Sequence, residues 1–139
     1  MNHYLSVAGG LSALAALMHL GCIYFGAPWY RVFGAGEQMA LMAERGSYQP
    51  TLITLGIFCV LMTWSVYAFS AAGLIGQLPM LRAVLVSITC VYAVRGVGGF
   101  FFMAWPMGRS TEFWYYSSVL CLMIALVHFI GLKQQWDVL

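Results

Sequence analysis

Charge is what this sequence has least of. Lysine and arginine together number 6 and aspartate and glutamate 4, so charged side chains make up 7% of the 139 residues, where a soluble domain carries about 25%. With 63% hydrophobic residues, the chain reads as an integral membrane protein. A net charge of +2 is too small and too scattered for a nucleic-acid partner, and none is expected. Acidic residues are missing from every long apolar run, which excludes a carboxylate pair inside a span. A glycine-rich phosphate loop and a nucleophile elbow are missing too. The residues therefore leave open whether the chain is an enzyme.

Proline is scarce and confined to the ends of runs, at Pro28, Pro50, Pro79 and Pro106. Cysteines come singly, as Cys22, Cys59, Cys90 and Cys121, one per apolar run and in no CxxC pair. They read as small packing residues; the other reading is a soft-metal path shared with the nine methionines. No basic residue precedes the first run, only His3, and His19-Leu20-Gly21-Cys22 has histidine where a lipoprotein cleavage site wants leucine or similar. The first run is accordingly expected to stay as a permanent helix. No metal or cofactor is expected. Zinc-like ligand sets do not stand out, and His19 and His128 fall at different depths, which argues against a bis-histidine haem.

What is present is four apolar runs long enough to span, Tyr4–Phe25, Thr51–Ile75, Met80–Met107 and Phe113–Leu132. The expected fold is all-α: one domain over residues 1–139, an antiparallel up-down four-helix bundle with a short interfacial or re-entrant helix between the first two spans. The spans are placed at about residues 4–25, 51–75, 80–105 and 113–132, and the loop helix at about 36–45. Small residues recur on one face of each span. Ala8, Ser12, Ala15, His19, Cys22 and Gly26 line the first; Thr51, Thr54, Phe58, Leu61, Ser65, Ala68 and Ala72 the second; Ser118, Cys121, Ala125, His128 and Leu132 the fourth. In lipid such stripes face other helices, and their period near 3.5 favours packing at about +20°. The segment Gly26–Pro50 is the longest polar stretch: Ala27-Pro28 is expected to end the first helix, Trp29 and Tyr30 to anchor at the interface, and Gly46 to cap the loop helix. The Trp105-Pro106 pair marks the exit of the third span.

Arg95 is the residue the rest must accommodate. It lies about 20 Å along a helix starting near Arg82, and a central arginine costs at least about 2.5–3.5 kcal/mol on insertion scales. It cannot deprotonate, so it needs acceptors. Gly96, Gly98 and Gly99 follow it, allowing a second backbone or a ligand to come close and making a kink plausible. Depth arithmetic puts His19 and Arg95 each about 22 Å from the side holding the termini. Thr54 and Thr51 enter at that level from the second span, and Ser117 and Ser118 from the fourth. Glu37 or Glu44 would drop in from the loop helix. The candidate ligand-binding set is therefore Arg95, His19, Glu44, Glu37, Tyr92 and Thr54, with no catalytic and no metal residues assigned. His128 is expected to pack deeper, hydrogen-bonded to a neighbouring helix.

Three readings stay open on these residues. The first is a protein that binds or transports a small anionic or amphiphilic ligand around Arg95. The second is a structural or accessory subunit in which Arg95 locks the loop helix through an ion pair. The third is an enzyme on a lipid-soluble substrate, with His19 as base oriented by Glu44. Membrane lipid is the expected surrounding partner, a homo-oligomer is compatible with the small-residue stripes, and a bacterial inner membrane is the expected location. Basic residues are nearly balanced across the two sides, Arg31, Arg45 and Arg109 against Arg82 and Lys133. The aromatic-rich loops favour both termini in the cytoplasm.

Overall fold

Helix begins as soon as the chain offers a cap. The side chain of Asn2 accepts from the backbone N–H of Leu5 at 2.9 Å and opens α1, His3–Phe25. In this computed structural model, which describes residues 2–33, 36–105, 109 and 111–139, five more helices follow. They are α2 (Ala27–Val32), α3 (Glu37–Glu44), α4 (Gln49–Ala72), α5 (Leu81–Phe101) and α6 (Thr111–Gln135), the last running into a 3-10 turn at Trp136–Val138. Helices α1, α4, α5 and α6 are each long and apolar enough to cross a membrane. At about 1.5 Å per residue, even α5 with its 21 residues reaches about 32 Å, against a hydrocarbon core of about 30 Å. The chain is an all-helical membrane bundle, as expected.

The four spans stand in cyclic order α1, α4, α5, α6. The closest seams are α1 with α4 and α5 with α6; α1 with α6 is looser and α4 with α5 sparser still. The small-residue stripes point inward. Ala8 and Ser12 of α1, Thr54, Leu61, Ser65, Ala68 and Ala72 of α4, and Ser118, Ala125, His128 and Leu132 of α6 are all buried. Leu14, Leu17 and Leu20 remain exposed on the lipid side. Among the described residues the interior holds three apolar clusters: Leu5, Leu85, Ala72 and Leu132 near the termini, Ala16, Leu61, Ile88, Tyr92 and Ile124 at mid-depth, and Cys22, Ala27, Tyr30 and Ala40 under α2 and α3. Hydroxyls on the spans return to carbonyls one turn back, as Thr63 does to Cys59 at 2.8 Å and Ser87 to Ala83 at 2.9 Å. This spares them an unpaired donor in lipid.

Three expectations need correction. Pro28 does not simply end α1: it sits in the first turn of a new helix, α2, where its missing N–H has no partner to lose. Helix α2 folds back so that Trp29 stacks on Phe25 at 4.5 Å and lies over Gly21. Tyr30, expected at the interface, is 3% exposed. Helix α4 stops at Ala72 rather than near Ile75, because Gly73 takes a left-handed conformation, φ 87°, that other residues resist; Ser70 then closes the turn, accepting from Leu78 N–H and donating to the Gly76 carbonyl. Helix α5 runs unbroken through Gly96, Gly98 and Gly99 to Phe101. Of the exit pair expected for this span, Trp105 is exposed; Pro106, with Met107 at the end of the apolar run, lies outside the described residues.

Those glycines serve close approach. A Cβ at Gly96 would lie 2.6 Å from Leu122 Cγ and 3.0 Å from its backbone nitrogen, whereas one at Gly98 would meet nothing within 4 Å. Gly96→Ala is expected to destabilise the bundle by about 1–3 kcal/mol, and Gly98→Ala to be neutral or to stabilise by up to about 1 kcal/mol. Unfolding by titration with denaturing detergent measures both; equal effects of the two substitutions would contradict this packing of α5 on α6.

Candidate functional site

Arg95 leaves α5 towards α6, where its hydrogen bond and its ring contact among the described residues are made. Its Nη2 donates to Ser117 Oγ at 3.0 Å. Its guanidinium lies over the Trp114 ring, 4.9 Å from the centroid. Trp114 is buried, and Phe102 stacks on it at 4.9 Å. Arg109 reaches the same indole, at 5.6 Å. Burial and the neighbouring charge of Arg95 hold the Arg109 pKa below its ordinary value. Two atoms stand out. Arg95 Nη1 and Ser118 Oγ are both buried with no hydrogen-bond partner among the described residues. Both lie against Gly99: a Cβ there would be 2.7 Å from Nη1 and would collide with Ser118 Oγ. The glycine is what lets guanidinium, hydroxyl and α5 backbone converge.

The expected set does not assemble as one site. Tyr92, one turn before Arg95, shares a 2.8 Å hydrogen bond with Ser12 of α1, across the bundle diagonal. Its ring stacks on His128 at 5.4 Å and meets Trp64 edge-on at 5.2 Å. His19 bonds through Nδ1 to the Ala15 carbonyl of its own helix, at 2.7 Å. Thr54 bonds to Tyr30 of α2, 3.1 Å between hydroxyls. Glu37 and Glu44 pair with Arg31, at 2.9 and 2.7 Å. No hydrogen bond or ion pair joins His19, Thr54, Glu37 or Glu44 to Arg95. The reason is lateral position: α2 and α3 pack against each other and against α1 and α4, while Arg95 faces α6. Depth arithmetic fixes a level along the bundle, and it does not fix which seam a side chain enters.

His128 also departs from expectation. It bonds through Nδ1 to the Ile124 carbonyl of its own helix at 2.9 Å, and Nε2 is buried without a partner among the described residues. A carbonyl only accepts, so Nδ1 carries a proton. Sequence reasoning missed Trp114 as the guanidinium platform; its three-residue spacing from Ser117 on α6 was the available signal. It also missed Arg31 as the partner of both glutamates.

His19 and Cys22 lie three apart on α1, yet among the described residues no group of three or more His, Cys, Asp or Glu is placed to hold a metal ion. Cys59 and Cys90 are exposed on the outer surface while Cys22 is buried, so the thiols do not form one internal path. No protein-family description, curated protein or solved structure matches this chain.

The Arg31 pairs hold α2 to α3. The guanidinium keeps the Glu37 carboxyl below the usual carboxylate range, and the two glutamates push the Arg31 pKa up. A lowered carboxylate pKa means support that is complete above the ordinary value of about 4.3 and lost as pH falls through the lowered one. Backbone protection factors in Glu37–Glu44, read by hydrogen exchange in lipid nanodiscs, are expected to hold from pH 8 to 5 and to drop at about pH 3, while α1, α4, α5 and α6 stay protected. Arg31→Gln is expected to give low protection at every pH; a pH-dependent drop that survives this substitution would point to a different cause.

Proposed function

We propose that this membrane protein binds a small anionic ligand, or the anionic head of an amphiphile, at Arg95 between α5 and α6. The observation that carries the reading is the buried Nη1 of Arg95, a charged donor with no acceptor among the described residues. A cation at this depth is costly. One hydroxyl and one aromatic face compensate it in part, the latter worth about 0.5–2 kcal/mol. Among the described residues the ion pairs belong to Arg31, so no carboxylate within 4 Å neutralises Arg95. An anion seated at Nη1 would supply the missing charge, accept from the neighbouring Ser118 hydroxyl, and relieve the repulsion that Arg109 feels from Arg95.

Binding is favoured over passage because the interior beneath Arg95 is filled by Tyr92, Ile88, Leu61 and Ile124. The accessory-subunit reading, with Arg95 as a lock for the loop helix, has less support because both loop glutamates are engaged by Arg31. The enzymatic reading has less again, because His19 and Glu44 make their bonds to different partners.

The test is binding by the protein in lipid nanodiscs, using benzoate, inorganic phosphate, sulfate and a long-chain carboxylate in turn, read by calorimetry and by shift of the melting temperature. At least one of these is expected to bind and to raise the melting temperature. Arg95→Gln is expected to lose that affinity by roughly tenfold to a hundredfold, the worth of a charge-assisted hydrogen bond, and Arg95→Lys to lose less. Undiminished binding by Arg95→Gln would overturn the proposal, as would a wild-type protein that none of the four shifts.

A further inference from the structure

At the opposite end of the bundle, a groove of about 680 Å³ opens beside the first turn of α5, lined by Gln77, Leu81, Arg82, Val86 and Trp136 among others. A second hollow of about 240 Å³ shares Met80 and Ala83 with it and continues past Ser87 to Val91, with Trp64 of α4 on its far side. The two meet at Met80 and Ala83 and form one trough over the exposed face of α5: the first lies beside the C-terminal turn with Trp136 and Leu139, and the second opens into the α4–α5 seam, the sparsest of the four. From Met80 to Val91 the trough follows α5 for about 16 Å, roughly half of a 30 Å hydrocarbon core. That is the depth of one leaflet.

Its mouth is polar and its floor is not. Arg82 lies at the mouth, with Nη2 donating to the Trp136 carbonyl at 2.6 Å and the guanidinium stacked on the Trp136 ring at 4.4 Å. The group is thus held in place by a tryptophan, the residue type favoured at headgroup level, and no acidic side chain of the described residues lies within ion-pair distance of it. Exposed Lys133 stands at the same end, and Asp137 follows Trp136, so the side chains of Arg82, Lys133 and Asp137 together carry one positive charge. Below Arg82 the walls are Ala83, Val86 and Val91, which offer an acyl chain no polar competitor except Ser87, whose hydroxyl is engaged by Ala83.

We infer that this trough seats one anionic phospholipid, its phosphate on Arg82 and one acyl chain along the α4–α5 seam to Val91. The site is separate from Arg95, at the other end of the bundle, and does not depend on the function proposed for it. A basic residue near a membrane surface favours anionic lipid by about fivefold, and a held guanidinium adds directed hydrogen bonds to that attraction.

The experiment is native mass spectrometry of the protein released from nanodiscs of equal phosphatidylglycerol and phosphatidylcholine, scoring the first retained lipid. The wild type is expected to retain phosphatidylglycerol over phosphatidylcholine by at least fivefold, and Arg82→Gln to bring that ratio close to one. Arg45→Gln, which removes an exposed charge from the opposite surface, is expected to leave the ratio unchanged. Ala83→Trp fills the trough without touching Arg82 and is expected to abolish retention of the first lipid; it also carries the test if Arg82→Gln does not fold. Equal retention of the two lipids by the wild type would overturn the inference. So would an Arg45→Gln effect as large as that of Arg82→Gln, which would mean general surface attraction, or unchanged retention in Ala83→Trp.

Discussion

The contact on which this bundle turns is the Arg95 guanidinium over the Trp114 ring, 4.9 Å from its centroid. An arginine at this depth must keep its charge, and water is not at hand to solvate it, so a π-face and hydroxyls do the work that solvent would do elsewhere. That arrangement dictates the α5–α6 seam. Trp114 and Ser118 can face Arg95 together only if α5 offers no Cβ in between, and Gly99 meets that need. Gly96 does the same one turn earlier, against Leu122. The seam is therefore tight because the cation requires it, and small residues alone would not have specified which helix α5 approaches. What the contact leaves over is one charged donor, Nη1. A donor of that kind is the least comfortable group in the interior and the natural point for a negative charge to enter.

Deeper in, neutral polar groups tie the helices both across the bundle and along a packed seam. Ser12 and Tyr92 join α1 to α5 across the diagonal, and Ser65 donates to the Gly9 carbonyl at 2.7 Å, joining α4 to α1. Such bonds in a membrane are worth about 0.6–2 kcal/mol each, enough to fix register where side chains are interchangeable in size. His128 is different. With Nδ1 committed to its own helix and its ring stacked on Tyr92, it contributes shape and an aromatic partner, and its Nε2 is the second orphan among the described residues of the interior after the Arg95–Ser118 pair.

The architecture was legible because lipid enforces a simple rule, small and weakly polar residues inward. The stripes through Ser12, Ser65 and Ser118 obey it at every turn. Arg95 was equally legible as the residue needing partners, and its meeting with Ser117 follows from depth alone. Its remaining partners were not legible, for two physical reasons. Depth along an axis says nothing about azimuth, and His19 and Thr54 sit at a suitable level on the wrong helices. The second reason is Pro28: a proline after a helix reads as a stop, yet it also suits a first turn. Helix α2 was therefore unforeseen, and with it the position of Arg31. Once Arg31 stands between Glu37 and Glu44, the carboxylates have a nearby exposed partner and no reason to leave the aqueous boundary for a buried one.

Arg95 and Arg82 repeat one device at two depths. Each guanidinium lies over a tryptophan ring and gives one hydrogen bond to its neighbour on or beyond α6, and neither has a carboxylate among the described residues. Arg82 is open to water and ions at the surface, so in the lipid seat inferred above its charge selects the headgroup and the apolar trough beneath it retains the chain. Inside the bundle nothing mobile completes Arg95 at comparable cost, so the same half-satisfied group carries far more free energy there. On the two readings proposed above, the exposed arginine would take a molecule anchored by its hydrocarbon and the half-buried one a molecule anchored by its charge.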